Sequence, residues 1–216
     1  MRCRWPLAAV LAALALWPAD LIAGATREQA LAALADKGSA DHRREGAQAL
    51  GATGLMSDLP QLAAALRDTD ATVRDNAESS MWQVWSRSGD PAIDQLLAKG
   101  LEQMQAREAE QAVTTFSEII QRKPEFAEGW NKRATVYYML GEYQKSLADC
   151  DEVMKRNPYH FGALSGYGLI YLQLGRPEQA LGWFEKALAV NPNLDGVREA
   201  VENLRQLVIQ KRRNTL

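Results

Sequence analysis

From residue 127 onward, apolar positions recur at helical spacing in paired blocks. Trp130, Ala134, Tyr137 and Met139-Leu140 mark a first helix, which Gly141 closes where a left-handed residue is wanted. Tyr143, Leu147, Cys150, Val153 and Met154 form the stripe of a second, and Asn157-Pro158 ends it because proline disfavours helical geometry in the residue before it. The plan returns without a gap in Leu164, Gly168, Tyr171, Gly175, Ala180, Phe184, Ala187 and Pro192. It returns more loosely upstream in Gly100, Ala112, Phe116, Ile119 and Pro124, with Leu96 in place of the tryptophan and Arg107 in place of the glycine. The prolines fix the interval, since 158 − 124 and 192 − 158 both give 34. A helical hairpin repeated at this period cannot bury its apolar face alone, so neighbours must stack. The expected fold is all-α, a right-handed α–α superhelix (solenoid) of helical hairpins with units at 93–126, 127–160 and 161–194. Val197, Val201, Leu204 and Val208 continue as one more stripe. They predict a capping helix over 195–213, with Lys211, Arg212 and Arg213 at its C-terminus complementing the helix dipole.

Residues 26–90 are helical by a different rule. Leu59-Pro60 opens one helix, Asp68-Thr69-Asp70 makes a turn, and Val73-Arg74 opens a second that runs to Trp85. Arg44, Ala47 and Leu50 foreshadow Arg74, Ala77 and Ser80 at an offset of 30, a partial earlier copy. The stretch Ser88-Gly89-Asp90-Pro91 joins the two arrays, and Pro91 at a helix start predicts continued packing across the join.

The three gapless units resemble the tetratricopeptide repeat, and residues 59–85 resemble short HEAT-like repeats of the phycobilisome-lyase type. Taken together, residues 40–195 resemble small exported bacterial tetratricopeptide proteins in which AEGWNKRAT is followed by HFGALSG. In such arrays the first helix of each pair lines a concave groove. The resemblance therefore implies a peptide-binding groove made of Leu97, Leu101 and Met104, then Glu128, Asn131, Thr135 and Tyr138, then Ser165, Leu169 and Leu172. This groove is apolar at both ends and polar in the middle, which suits an extended or helical peptide with apolar anchors. The basic clamp of cytosolic co-chaperones is not reproduced, and only Asn131 and Lys132 suggest it. Arg133 stands where the next unit has Tyr167. It either snorkels past Trp130 or pairs with an acidic group, Glu128 or a ligand carboxylate.

Composition narrows the partner. Arg2 and Arg4 precede an apolar run from Leu7 to Leu16, and Ala23-Gly24-Ala25 offers a cleavage site, so residues 1–25 read as a secretory signal peptide cut after Ala25. Removing them takes two basic residues and one acidic residue from 25 and 27, leaving 23 and 26 and a net charge of −3. That balance argues against nucleic acid. No later apolar stretch approaches the ~18 residues of a membrane span. The expected location is periplasmic or secreted, with the cytoplasm as the alternative. Cys150 is then the only thiol, at the position of Phe116 and Phe184, and reads as a small core hydrophobe rather than a redox group.

Catalytic signatures are missing. His42 and His160 are too far apart in the array for a joint metal site, and GALSGYG lacks the spacing that would make Ser165 a nucleophile. Neither an enzyme nor a cofactor or metal is expected. Trp82 and Trp85 read as glue between the upstream helices and the first repeat, with a ligand platform as the alternative. The function expected is a non-catalytic scaffold that binds a protein or peptide. Self-assembly through the upstream face is the alternative.

Overall fold

The computed structural model describes residues 24–213. Residues 1–23 of the leader reading, and the side chains of Lys211, Arg212 and Arg213, lie outside the described residues. Among the described residues the chain is entirely helical: α1 (Arg27–Leu34), α2 (Ala40–Thr53), α3 (Leu59–Ala65), α4 (Ala71–Trp85), α5 (Pro91–Gln105), α6 (Ala109–Arg122), α7 (Ala127–Met139), α8 (Tyr143–Arg156), α9 (Phe161–Gln173), α10 (Pro177–Val190) and α11 (Asp195–Arg213). Helices α5–α6, α7–α8 and α9–α10 are antiparallel hairpins, each packed on the next, and α11 packs on α10. This is an all-α solenoid.

The same backbone turn closes each hairpin. Gly141 and Gly175 have φ of 75° and 69°, and Arg107 takes the same left-handed conformation at 62°. In all three, the N–H of the following residue reaches back five positions, Glu108 to Gln103, Glu142 to Tyr137 and Arg176 to Tyr171, at 2.8, 2.8 and 2.9 Å. That bond satisfies a carbonyl the helix end would otherwise orphan. Inside the hairpins, size is exchanged between facing positions. Gly100 faces Phe116 and Gly168 faces Phe184, where a Cβ added to either glycine would lie 2.4 Å from the ring. In the middle hairpin Ala134 and Cys150 share one buried cluster at these two positions.

Upstream, α1 packs on α2, and α2 and α3 pack on α4. Bidentate ion pairs tie the two halves. Arg43 holds Asp68 at 2.7 and 3.0 Å, and Arg44 holds Asp70, whose carboxylate also caps α4 through the Val73 N–H.

The join differs from the expected stacking. Helix α4 has no extensive packing on α5. It runs instead along the edge of the solenoid that carries the loops of Pro124, Pro158 and Pro192. At one end the Arg67 guanidinium donates to the carbonyls of Ala189 and Val190, and Asn193 Nδ2 donates to Leu66 O at 2.8 Å. Further along, Asn191 Nδ2 donates to Glu78 Oε2 at 2.8 Å. Trp82 and Trp85 then meet His160 and Phe161 at the start of α9. The two tryptophans do join the arrays, but at the third hairpin rather than the first. The reason is direction: α4 lies across the loops, so its last turn reaches the middle of the row.

Candidate peptide groove

The first helices α5, α7 and α9 place the sequence-derived residues on one side of the solenoid, in registers spaced by the repeat. Leu101, Thr135 and Leu169 share one register, 34 apart, and Met104, Tyr138 and Leu172 share another. Leu101, Thr135, Tyr138, Ser165, Leu169 and Leu172 are partly exposed. The hydroxyls of Thr135 and Ser165 donate to carbonyls one turn back, those of Asn131 and Phe161, at 3.0 and 2.8 Å. Tyr138 OH accepts from Gln173 Nε2 at 3.3 Å.

Four of the expected lining residues are not available to a ligand. Leu97 and Met104 are buried in the core of the first hairpin beside Phe116, Ile119 and Val136. Glu128 is 0% exposed and Asn131 8%, and both belong to an internal network. Glu128 Oε2 accepts from Asn131 Nδ2 at 3.2 Å and from His160 Nε2 at 3.1 Å, while Lys132 Nζ sits 2.9 Å from Oε1. His160 has its tautomer fixed, because its Nδ1 accepts the Ala163 N–H at 3.1 Å and caps α9. Burial pushes the Glu128 carboxyl up, yet the charge of Lys132 and the bond from His160 overcome it and hold it at about 2. Lys132 also lies over the Trp82 ring, 5.9 Å from its centroid. The upstream helices thus close the end of the concave face where α7 and α9 begin. Asn131 and Lys132 are both committed to Glu128, so the two residues that suggested a carboxylate clamp do not form one.

Arg133 is also internal. Its guanidinium grips Asp149 with two bonds of 2.8 Å and donates to Ser117 Oγ at 3.0 Å, between the rings of Trp130 and Tyr137. Its acidic partner within the chain is Asp149 rather than Glu128. The equivalent Tyr167 donates its hydroxyl to Asp151. Cys150 is 3% exposed, and burial, with the charges of Asp149 and Asp151, pushes its thiol up to about 12. A thiol held protonated there is a packing group. Among the described residues no group of His, Cys, Asp and Glu is arranged to hold a metal ion, and no helix is long and apolar enough to cross a membrane.

Sequence reasoning missed the residues that α4 brings to the loop edge. Asn157 was legible only as a helix breaker before proline and Asn191 not at all, yet both are fully buried. The equivalence of 123, 157 and 191 at intervals of 34 was the available signal.

Residues 125–193 match the tetratricopeptide repeat family. A TPR repeat-containing protein of Rhizobium etli is 33% identical over 120 residues, covering 56% of this chain and 59% of that protein. The chain spans less than two-thirds of the length of the first curated relatives it matches. The Sgt2 TPR domain from Aspergillus fumigatus superposes with a TM-score of 0.54 at 21% identity, over 57% of this chain and 83% of that one. The first TPR of Spaghetti (RPAP3), solved with an HSP90 peptide, superposes with a TM-score of 0.52 at 20% identity, over 54% and 93%. The second and third hairpins, α7–α8 and α9–α10, lie within the residues that match the tetratricopeptide repeat family.

Proposed function

We propose that the chain is a non-catalytic interaction module that holds a peptide segment along the open part of its concave face. The observation that carries this reading is the row of partly exposed side chains on three successive first helices: Leu101 on α5, Thr135 and Tyr138 on α7, and Leu169 and Leu172 on α9. Apolar anchors at both ends and hydroxyls between them match an extended or helical segment with a few hydrogen bonds. The HSP90 peptide on a domain of the same fold supports the class of ligand. It does not carry over as a sequence, because Asn131 and Lys132 are engaged by Glu128.

Thr135→Trp fills the middle of this row without touching a core position. On an array of random peptides, the variant loses the peptides that the unaltered chain binds, whereas Gln144→Trp on the exposed side of α8 keeps them. Binding indifferent to Thr135→Trp sinks the reading.

The leader-like residues 1–25 support an extracytoplasmic setting in the bacterial envelope. N-terminal sequencing of fractionated protein tests it: a chain starting at Thr26 outside the cytoplasm agrees, and an intact Met1 in the cytosol does not. A second reading, self-assembly through the upstream helices, is favoured by Leu55 and Met56, which are 56% and 44% exposed side by side. Light scattering that finds a monomer at every concentration removes it.

A further inference from the structure

Where the upstream helices cross the loop edge they leave a cleft of about 150 Å³, lined by Met56, Trp85, Lys123, Phe126, Ala127 and Asn157 among others. Two of these residues carry buried N–H donors that no acceptor among the described residues satisfies, Trp85 Nε1 and Asn157 Nδ2. Their side chains are 3% and 0% exposed. Buried polar groups are nearly always partnered, so two orphaned donors on one cleft require an explanation.

Neither donor is free to turn elsewhere. The Trp85 ring is stacked on His160, with centroids 4.4 Å apart and planes at 18°, and it is met edge-on by Trp82 and Phe161. The Asn157 amide is oriented by its oxygen, which accepts the Tyr159 N–H at 3.1 Å and leaves the buried NH₂ without a partner.

The chain itself displays what satisfies this amide. Asn191 lies one repeat further on, since 191 − 157 = 34, and makes the same turn bond, accepting the Asn193 N–H at 3.0 Å. Its NH₂ donates to a carboxylate, that of Glu78 on α4. At Asn157 no carboxylate among the described residues takes that place. Charge at the cleft agrees. Lys123, one repeat earlier, sits on its wall, and so does Arg87, whose guanidinium caps α2 through the carbonyls of Gly51, Ala52 and Gly54. Glu125, the acidic residue among the described ones that line the cleft, is 69% exposed and 3.5 Å from Lys123. Phe126, Ala127 and Met56 supply an apolar wall. A volume near 150 Å³ holds a body about the size of benzene.

We propose that this cleft is a carboxylate-binding site for a short apolar acid, with Trp85 Nε1 and Asn157 Nδ2 as its neutral donors and Lys123 as its cation. Two sources offer that chemistry: a free branched-chain acid, or the terminal carboxylate of a peptide ending in an aliphatic residue. The site lies on the loop edge and not on the concave face, so it stands or falls independently of the peptide groove.

The test follows the indole N–H resonance of Trp85 in the ¹⁵N-labelled full chain, assigned by its loss in Trp85→Phe. The probes are sodium isovalerate, N-acetyl-glycyl-glycyl-valine with a free carboxylate, the same peptide as its terminal amide, and sodium chloride at matched ionic strength. A saturable downfield shift is expected with one or both carboxylates and with neither the amide nor chloride. Saturation by isovalerate alone identifies a small-acid site, and tighter saturation by the peptide acid identifies a chain-terminus site. Lys123→Gln, at the rim, weakens the saturating probe by about tenfold, the loss of one charge-assisted contact. Asn157→Leu abolishes saturation while the remaining indole resonances hold their positions. No saturable shift with either carboxylate, or equal shifts with acid and amide, overturns the proposal and leaves the donors to water.

Discussion

Arg107 holds a φ of +62° where the following hairpins place Gly141 and Gly175. A side chain in that region crowds its own carbonyl, at a cost of about 1–2 kcal/mol that glycine avoids. The turn forms regardless, because the helices on either side dictate it and the Glu108 N–H still reaches Gln103. Arg107→Gly is therefore expected to stabilise the chain by about 1 kcal/mol, after glycine's greater unfolded-state entropy is subtracted. Gly141→Ala is expected to destabilise it by a similar amount, although a Cβ there would meet nothing within 4 Å. Urea denaturation of both variants checks the pair, and equal stabilities would mean the turn tolerates any residue. Arg107 was legible in the sequence as a departure from the repeat, but its retained geometry was not. Arg133 was legible as an oddity too, and its partner could have been found. Facing positions in these hairpins are 16 residues apart, as in Gly100 and Phe116 or Gly168 and Phe184, and Asp149 follows Arg133 by that interval.

At the scale of the hairpin, the alternation of Gly100–Phe116, Ala134–Cys150 and Gly168–Phe184 is a conservation of volume. Where the first helix has no Cβ, the second helix fills the space with a ring; where it has one, the second helix carries only a thiol. Cys150→Phe alone should press its ring on the Ala134 methyl, since a Cβ at the matching glycines would lie 2.4 Å from a ring carbon. Overpacking of that kind costs about 1–3 kcal/mol. Ala134→Gly with Cys150→Phe rebuilds the arrangement of the outer hairpins and should recover most of the loss. A double-mutant cycle by thermal or chemical denaturation is then expected to show a coupling of about 1 kcal/mol or more between the two sites. Additive effects would mean the middle hairpin is spaced differently from its neighbours. The sequence revealed each half of this exchange, through the small Ala134 and through Cys150 at a phenylalanine position. Their dependence on each other follows only from the helices' closeness in space.

For the molecule as a whole, the course of α4 along the loop edge was the least legible feature and the one that most alters the candidate groove. The contacts of α4 and of the turn before it join residues 113 to 127 positions apart, Glu78 with Asn191, Arg67 with Val190 and Leu66 with Asn193, and no local period announces them. The repeat register correctly put Glu128 and Asn131 on the inner helix, but it carried no information that Trp82 and His160 would cover that end. The Glu128 network is where the two halves meet, since its partner Lys132 lies over Trp82 and its partner His160 stacks on Trp85. Its pH dependence therefore reports on that junction. Folding lowers the Glu128 carboxyl from 4.5 to about 2, so the folded state binds its proton less readily than the unfolded chain does. The resulting stabilisation is fully present above about pH 4.5 and is lost as pH falls towards 2, by up to about 3 kcal/mol. Asp58, Asp68 and Asp70 are also held low, by hydrogen bonds from Arg27, Arg43 and Arg44, and they contribute to acid loss in the upstream helices. Glu128→Gln isolates the junction. It should be less stable than the unaltered chain at pH 7, where Lys132 keeps its charge without its partner, and the gap should close between pH 4.5 and 2. Denaturant midpoints of both chains across that range measure the difference. A gap that stays constant with pH would mean that folding leaves the Glu128 carboxyl unshifted and that the junction is held by its aromatic rings alone.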